Sequence, residues 1–93
     1  MDKQKVLIAD DEAPIREILK IYCEKEGFDV IEAADGAEAI LKVQSEKPDI
    51  IILDIMMPVL DGLEVCKQVR KMSDIPIIML TAKDDDDDRI FRP

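Results

Sequence analysis

Two apolar stretches of this chain run straight into acid: Val6-Leu7-Ile8-Ala9 into Asp10-Asp11, and Ile51-Ile52-Leu53 into Asp54. A strand that is apolar at every position must be covered on both faces. That is the situation of parallel strands packed between helices. The intervening sequence supplies those helices. Pro14 stands at a helix's tolerated first turn, and Ile15, Ile18, Leu19, Tyr22 and Cys23 follow at the three-and-four spacing of one helical face. Gly27 provides the stop. Phe28 to Glu32 alternate apolar and polar, as a half-exposed edge strand does. Asp35-Gly36 turns the chain into a second stripe, Ala37, Ile40, Leu41 and Val43, which ends before Pro48.

The central strand spans Asp49 to Leu53, and a loop with Pro58 and Gly62 follows. Asp61 and Glu64 have the spacing of a capping box, and Leu63, Cys66, Val69 and Met72 give the third helix its inner face. Pro76 opens a fourth strand, Ile77 to Leu80, at the one strand position where proline costs little. The βαβαβαβ alternation predicts right-handed crossovers and a parallel sheet with helices on both faces. No internal repeat is present.

Composition narrows the function classes. Ninety-three residues, 47% hydrophobic and 38% charged, suit one small domain with an aliphatic core. No apolar run approaches the roughly 20 residues of a membrane span, and Met1-Asp2-Lys3-Gln4-Lys5 has no signal-peptide pattern. The expected setting is cytoplasmic, away from membranes. Cys23 and Cys66 fall on apolar helix faces and read as free core thiols. A net charge of −9 argues against direct nucleic-acid binding by this segment. With no histidine, a histidine ligand or general base is excluded.

The chemistry lies at the strand ends. In doubly wound sheets ligands sit beyond the carboxyl ends of the strands, where strand order switches. If the first and third strands are neighbours, Asp10, Asp11 and Asp54 meet there. Three close carboxylates repel one another unless a cation neutralises them, and an oxygen-rich cluster with open positions suits Mg²⁺. A metal-bound aspartate can also attack phosphorus and form an aspartyl phosphate. Thr81, ending the fourth strand, offers a hydroxyl to such a group. Singly, each residue has a plainer reading: Asp10 and Asp11 as caps of the first helix, Asp54 as a turn residue, Thr81 as a strand end. Their joint placement at one edge of the sheet carries the case.

Leu7-Ile8-Ala9-Asp10-Asp11-Glu12, Leu53-Asp54-Ile55-Met56-Met57-Pro58 with Asp61-Gly62, and Leu80-Thr81-Ala82-Lys83 together resemble the receiver domain of two-component response regulators. The wording is most similar to regulators that carry a winged-helix DNA-binding domain. The resemblance implies a flavodoxin-like sheet and phosphoryl transfer from a sensor histidine kinase to Asp54. It implies Mg²⁺ held by Asp10, Asp11, Asp54 and the backbone carbonyl of Met56, with Thr81 as the switch hydroxyl. It implies a phosphoryl-accepting signalling domain rather than an enzyme, controlling an output such as transcription in a full-length protein.

The C-terminal stretch departs from that family. Five aspartates, Asp84 to Asp88, precede Arg89-Ile90-Phe91-Arg92-Pro93. The run reads as a solvated loop or as a helix's acid-rich first turn. The expected division is a receiver core over residues 1–83 and an acidic tail over 84–93. A complete receiver continues with a fourth helix, a fifth strand ending in Lys-Pro and a fifth helix. Two readings stay open: a piece cut early in the fourth helix, or loss of that helix with Arg92 at the lysine position. Either way the sheet is expected in the order 2-1-3-4, its fifth strand missing or rudimentary. If a helix covering ~400 Å² were absent, roughly 10 kcal/mol of burial would be forfeited. The fourth strand would become an apolar edge open to another chain. A homodimer is therefore expected. The competing function is a phosphate-inert fragment that self-associates through this edge.

Overall fold

The computed structural model describes residues 3–80 and 91–92. Its elements follow the expected alternation: β1 (Lys5–Ala9), α1 (Ala13–Lys25), β2 (Asp29–Ala33), α2 (Gly36–Glu46), β3 (Ile50–Asp54), α3 (Gly62–Arg70), β4 (Ile77–Leu80) and a two-residue β5 (Phe91–Arg92). The sheet order is β2-β1-β3-β4-β5. The first four strands are all parallel to their neighbours. This is the flavodoxin-like order, with a rudimentary fifth strand.

β5 alone runs antiparallel, pairing Met79 with Arg92 and Leu80 with Phe91. Only residues 81–90 separate the two strands, while a parallel crossover needs a dozen residues or more and usually a helix. A connection this short returns the chain the other way.

Strand alternation divides the core in two. Leu7, Ala9, Ile51, Leu53 and Ile77 face α2 and α3, where they pack with Ala39, Val43, Val65 and Val69. Val6, Ile8, Ile52 and Leu80 face the other way and pack with Cys23 and Leu19 of α1. Helices therefore cover both faces. Burial pushes the Cys23 thiol above its ordinary pKa, and the nearby charge of Glu26 adds to the effect. Both cysteines are free.

Helix ends are closed by local chemistry. After α1, Gly27 adopts φ 94°, a left-handed conformation that glycine takes without a Cβ penalty. Its N–H donates to the Glu24 carbonyl at 3.0 Å and that of Phe28 to Cys23 at 3.1 Å. That pair of bonds is the Schellman arrangement. Asp35 caps α2 by accepting from the Glu38 N–H at 2.8 Å, while the Glu38 carboxylate accepts from Ala34 at 2.8 Å. Only half of the capping box expected at α3 is formed in this way. Asp61 accepts from the Glu64 N–H at 3.0 Å, but the Glu64 carboxylate instead takes the Gln68 side-chain amide at 3.0 Å.

The apolar stripes need correction. Cys23, Val43 and Val69 are buried and Leu19, Ile40 and Cys66 pack against the core, as expected. Ile18 and Tyr22 of α1, Leu41 of α2, Leu63 of α3 and Met72 just beyond it are instead exposed. The buried positions on α2 and α3 are Gly36, Ala39 and Val43, and Gly62, Val65 and Val69. The buried positions beyond the expected faces, Gly36, Ala39, Gly62 and Val65, are small, and small side chains allow close approach to the sheet.

Candidate functional site

β1 and β3 are neighbours in register, with Ala9 beside Leu53. Asp10, the first residue beyond β1, therefore stands level with Asp54, the last of β3. One carboxylate oxygen from each of Asp10, Asp11 and Asp54 lies within 4.8 Å of the others. Asp10 and Asp54 are fully buried, while Asp11 is exposed. The cluster thus has a closed floor and one open side. Hard oxygen donors at such spacing match what a small divalent cation takes, and the open side leaves room for its waters.

Local hydrogen bonds set each acid. Asp10 Oδ1 accepts from the Glu12 N–H at 2.9 Å, and Asp54 Oδ1 from the Met56 N–H at 3.0 Å. These are two-residue Asx turns that bend the chain sharply at a strand end. The N-cap position of α1 falls to neither Asp10 nor Asp11. The residue in the cap position of α1 is Glu12, and its side chain makes no cap bond. Met56 is exposed, and with Asp11, Pro58, Asp61 and Leu63 it lines an open groove beside the cluster. Thr81 and the acids Asp84 to Asp88 lie outside the described residues. The residue before Thr81, Leu80, is the strand partner of Asp54.

Two features of the β3–α3 loop were not singled out for a physical role by their sequence alone. Gly62 presses against the strand end: a Cβ there would overlap the Asp54 carbonyl oxygen and come within 2.7 Å of Ile55 Cα. Its N–H donates to the Ile55 carbonyl at 3.0 Å and closes the loop. The signal available in the sequence was a glycine opening an amphipathic helix, where poor propensity calls for a packing reason.

The second is Val59, whose φ is 66° although it is β-branched. The Leu60 N–H donates to the Pro58 carbonyl at 2.7 Å across it, a tight three-residue turn. Val59 is wholly exposed, so its side chain gains nothing in return. Left-handed backbone costs an L-residue about 1–2 kcal/mol, and glycine's extra unfolded-state freedom returns about 0.5–1. Val59→Gly is expected to stabilise the fold by about 0.5–1 kcal/mol. Thermal melting checks this through a rise of a few degrees, and a lower midpoint would refute it.

Among known proteins, the family described as "Response regulator receiver domain" matches residues 6–91. A relative from Porphyridium aerugineum, "Probable transcriptional regulator ycf27", is 54% identical over 90 residues, which is 97% of this chain and 38% of the relative. The chain thus spans well under half the length of that protein. The solved structure of Vibrio cholerae chemotaxis protein CheY4 superposes with a TM-score of 0.84 at 40% identity, covering 91% of this chain and 73% of that one. The BeF3-activated receiver domain of Klebsiella pneumoniae RstA gives 0.81 at 32% identity, over 89% and 71%. With the fold, the acidic cluster and these likenesses in agreement, the chain belongs to the response-regulator receiver-domain family.

Proposed function

We propose that this chain accepts a phosphoryl group on Asp54 in a Mg²⁺-dependent reaction, with a sensor histidine kinase as donor. The observation that carries the reading is the convergence of three carboxylate oxygens within 4.8 Å at the carboxyl edge of the sheet. The donor set is all oxygen, two of its acids are buried and one faces solvent, which fits Mg²⁺ and its retained waters. Asp10, Asp11, Asp54 and the Met56 carbonyl are the residues that would hold it. When bound, the ion supplies charge neutralisation to the carboxylates and the incoming phosphoryl oxygens.

The protein's own part is nucleophile placement. A carboxylate oxygen of Asp54 attacks phosphorus and forms the O–P bond. The P–N bond to the donor imidazole breaks, and the imidazole keeps the electron pair and takes a proton from solvent. The Met56 N–H, 3.0 Å from Asp54 Oδ1, fixes the rotamer of that side chain. Thr81, next in sequence to the strand partner of Asp54, is assigned the switch hydroxyl that follows the new charge. In a longer protein the switched surface would control an output, and the likeness to a transcriptional regulator favours transcription.

The test is intact mass after incubation with acetyl phosphate. One phosphoryl adduct that requires Mg²⁺ supports the reading, and no adduct with Mg²⁺ present overturns it.

A second reading, self-association, draws on the β4 edge. β5 pairs only with Met79 and Leu80, and among the described residues no strand lies on that side of Ile77 and Ile78. An apolar strand so placed can accept a partner strand. Light scattering after gel filtration is expected to give a dimer mass at micromolar concentration. A well-folded monomer there would remove this reading.

A further inference from the structure

We propose that Arg16 is a positioning residue of the acidic site, orienting Asp10 and Asp11 together by holding the peptide that joins them. The inference rests on the phosphoacceptor reading above. Arg16 lies on α1, and its side chain is only 17% exposed. Nη1 donates to the Asp10 carbonyl oxygen at 2.7 Å, while Nε donates to Glu32 Oε1 at 3.2 Å. Glu32 sits on the edge strand β2 and also receives Lys20 Nζ at 3.6 Å. A planar guanidinium bonded at two points has its plane fixed, which an ammonium on a flexible stem cannot reproduce.

That carbonyl matters because of where it sits. It belongs to the peptide between Asp10 and Asp11, so its orientation sets the direction from which both side chains leave the backbone. On the other side of Asp10, the N–H donates to the Ala33 carbonyl at 3.2 Å. Asp10 is thereby held at both ends, by β2 through its N–H and by Arg16 through its carbonyl. The bond thus acts on the backbone from which two of the three carboxylates leave, beside the Glu12 N–H that Asp10 Oδ1 accepts at 2.9 Å. The sequence carries a signal for it: between Lys5 and Lys20, Arg16 is the only base, in a stretch with Asp10, Asp11, Glu12 and Glu17.

Charge and geometry give opposite expectations. A bare positive charge near the cluster would weaken cation binding, so its removal would tighten it. The Arg16 charge is offset by Glu32 at 3.2 Å, which leaves geometry as the larger effect. Outer-shell groups that orient ligands are typically worth about 10–100-fold in metal affinity.

The experiment is calorimetric titration of the 93-residue chain with Mg²⁺, alongside thermal melting without metal. Arg16→Ala is expected to weaken Mg²⁺ binding about tenfold or more. Arg16→Lys, able to reach only one of the two acceptors, is expected to fall between. Val43→Ala, buried against the far side of the sheet, serves as the stability control. It should lower the melting midpoint while leaving Mg²⁺ affinity within twofold of the parent. An Arg16→Ala chain that binds as tightly as the parent or tighter overturns the inference. So does an equal loss of affinity in Val43→Ala, which would make the effect one of general stability. Should Arg16→Ala not fold, Arg16→Lys decides: parent affinity overturns the proposal, and a several-fold loss supports it. A parent chain that binds no Mg²⁺ overturns the phosphoacceptor reading first and this inference with it. A parent that binds beside an unaffected variant overturns this inference alone.

Discussion

Asp54→Asn is expected to remove the acetyl-phosphate adduct completely while leaving the chain folded. The amide is nearly isosteric, and its oxygen still accepts the Met56 N–H that Asp54 Oδ1 accepts at 3.0 Å. On the proposed function, what it loses is the carboxylate oxygen assigned to attack phosphorus, and a neutral amide is no substitute nucleophile. It also removes one of three carboxylates whose oxygens lie within 4.8 Å of one another, so Mg²⁺ binding is expected to weaken as well. Intact mass should show an adduct on the parent only, with circular dichroism unchanged between the two. Mass action gives a second readout. A ligand at a hundred times its Kd stabilises the folded state by about 2.7 kcal/mol, so saturating Mg²⁺ should raise the parent's melting midpoint and move that of Asp54→Asn less. Equal adducts on both chains would mean the phosphoryl group goes to another residue.

The second large effect comes from Gly62, whose contribution is close packing against the strand end. Alanine there puts a methyl group into the Asp54 carbonyl and within 2.7 Å of Ile55 Cα. Both contacts are backbone at the end of a central strand, so neither can swing aside. Overpacking of this kind costs about 1–3 kcal/mol, and alanine's better helix propensity returns only about 1. Gly62→Ala is expected to destabilise the fold by about 1 kcal/mol, and by no more than about 2. The larger consequence is for chemistry. Backing α3 away from β3 moves the strand end that carries Asp54, and a misplacement of about 1 Å can cost about 100-fold in rate. The expected result is an adduct forming at least tenfold more slowly at a temperature where the variant is fully folded. A parent-like rate would show that the strand end tolerates the shift.

Much of this architecture was legible residue by residue. Leu7-Ile8-Ala9 and Ile51-Ile52-Leu53 are apolar at successive positions, and only a strand covered on both faces accepts such a run. Gly27, Pro48 and Asp61 mark helix ends because their backbone chemistry works there and fails inside a helix. The acids that follow β1 and β3 then lie at one edge of the sheet by topology alone, since parallel strands all end on the same side.

How far each helix's inner face extends was beyond the sequence. Of the stripe Leu63, Cys66, Val69 and Met72, Val69 is buried and Cys66 packs against the core, while Leu63 and Met72 are exposed and Val65 is buried in their stead. Gly62 faces the strand because the Asp54 carbonyl leaves no space there for a Cβ. The direction of β5 was set in the same way, by a connection of residues 81–90 too short for a parallel return. The tether from Arg16 to the Asp10 carbonyl likewise joins groups on different elements. Local order comes from interactions within a few residues, which the sequence states directly. Contacts between elements depend on shape and distance across the fold, and those exist only once the chain has packed.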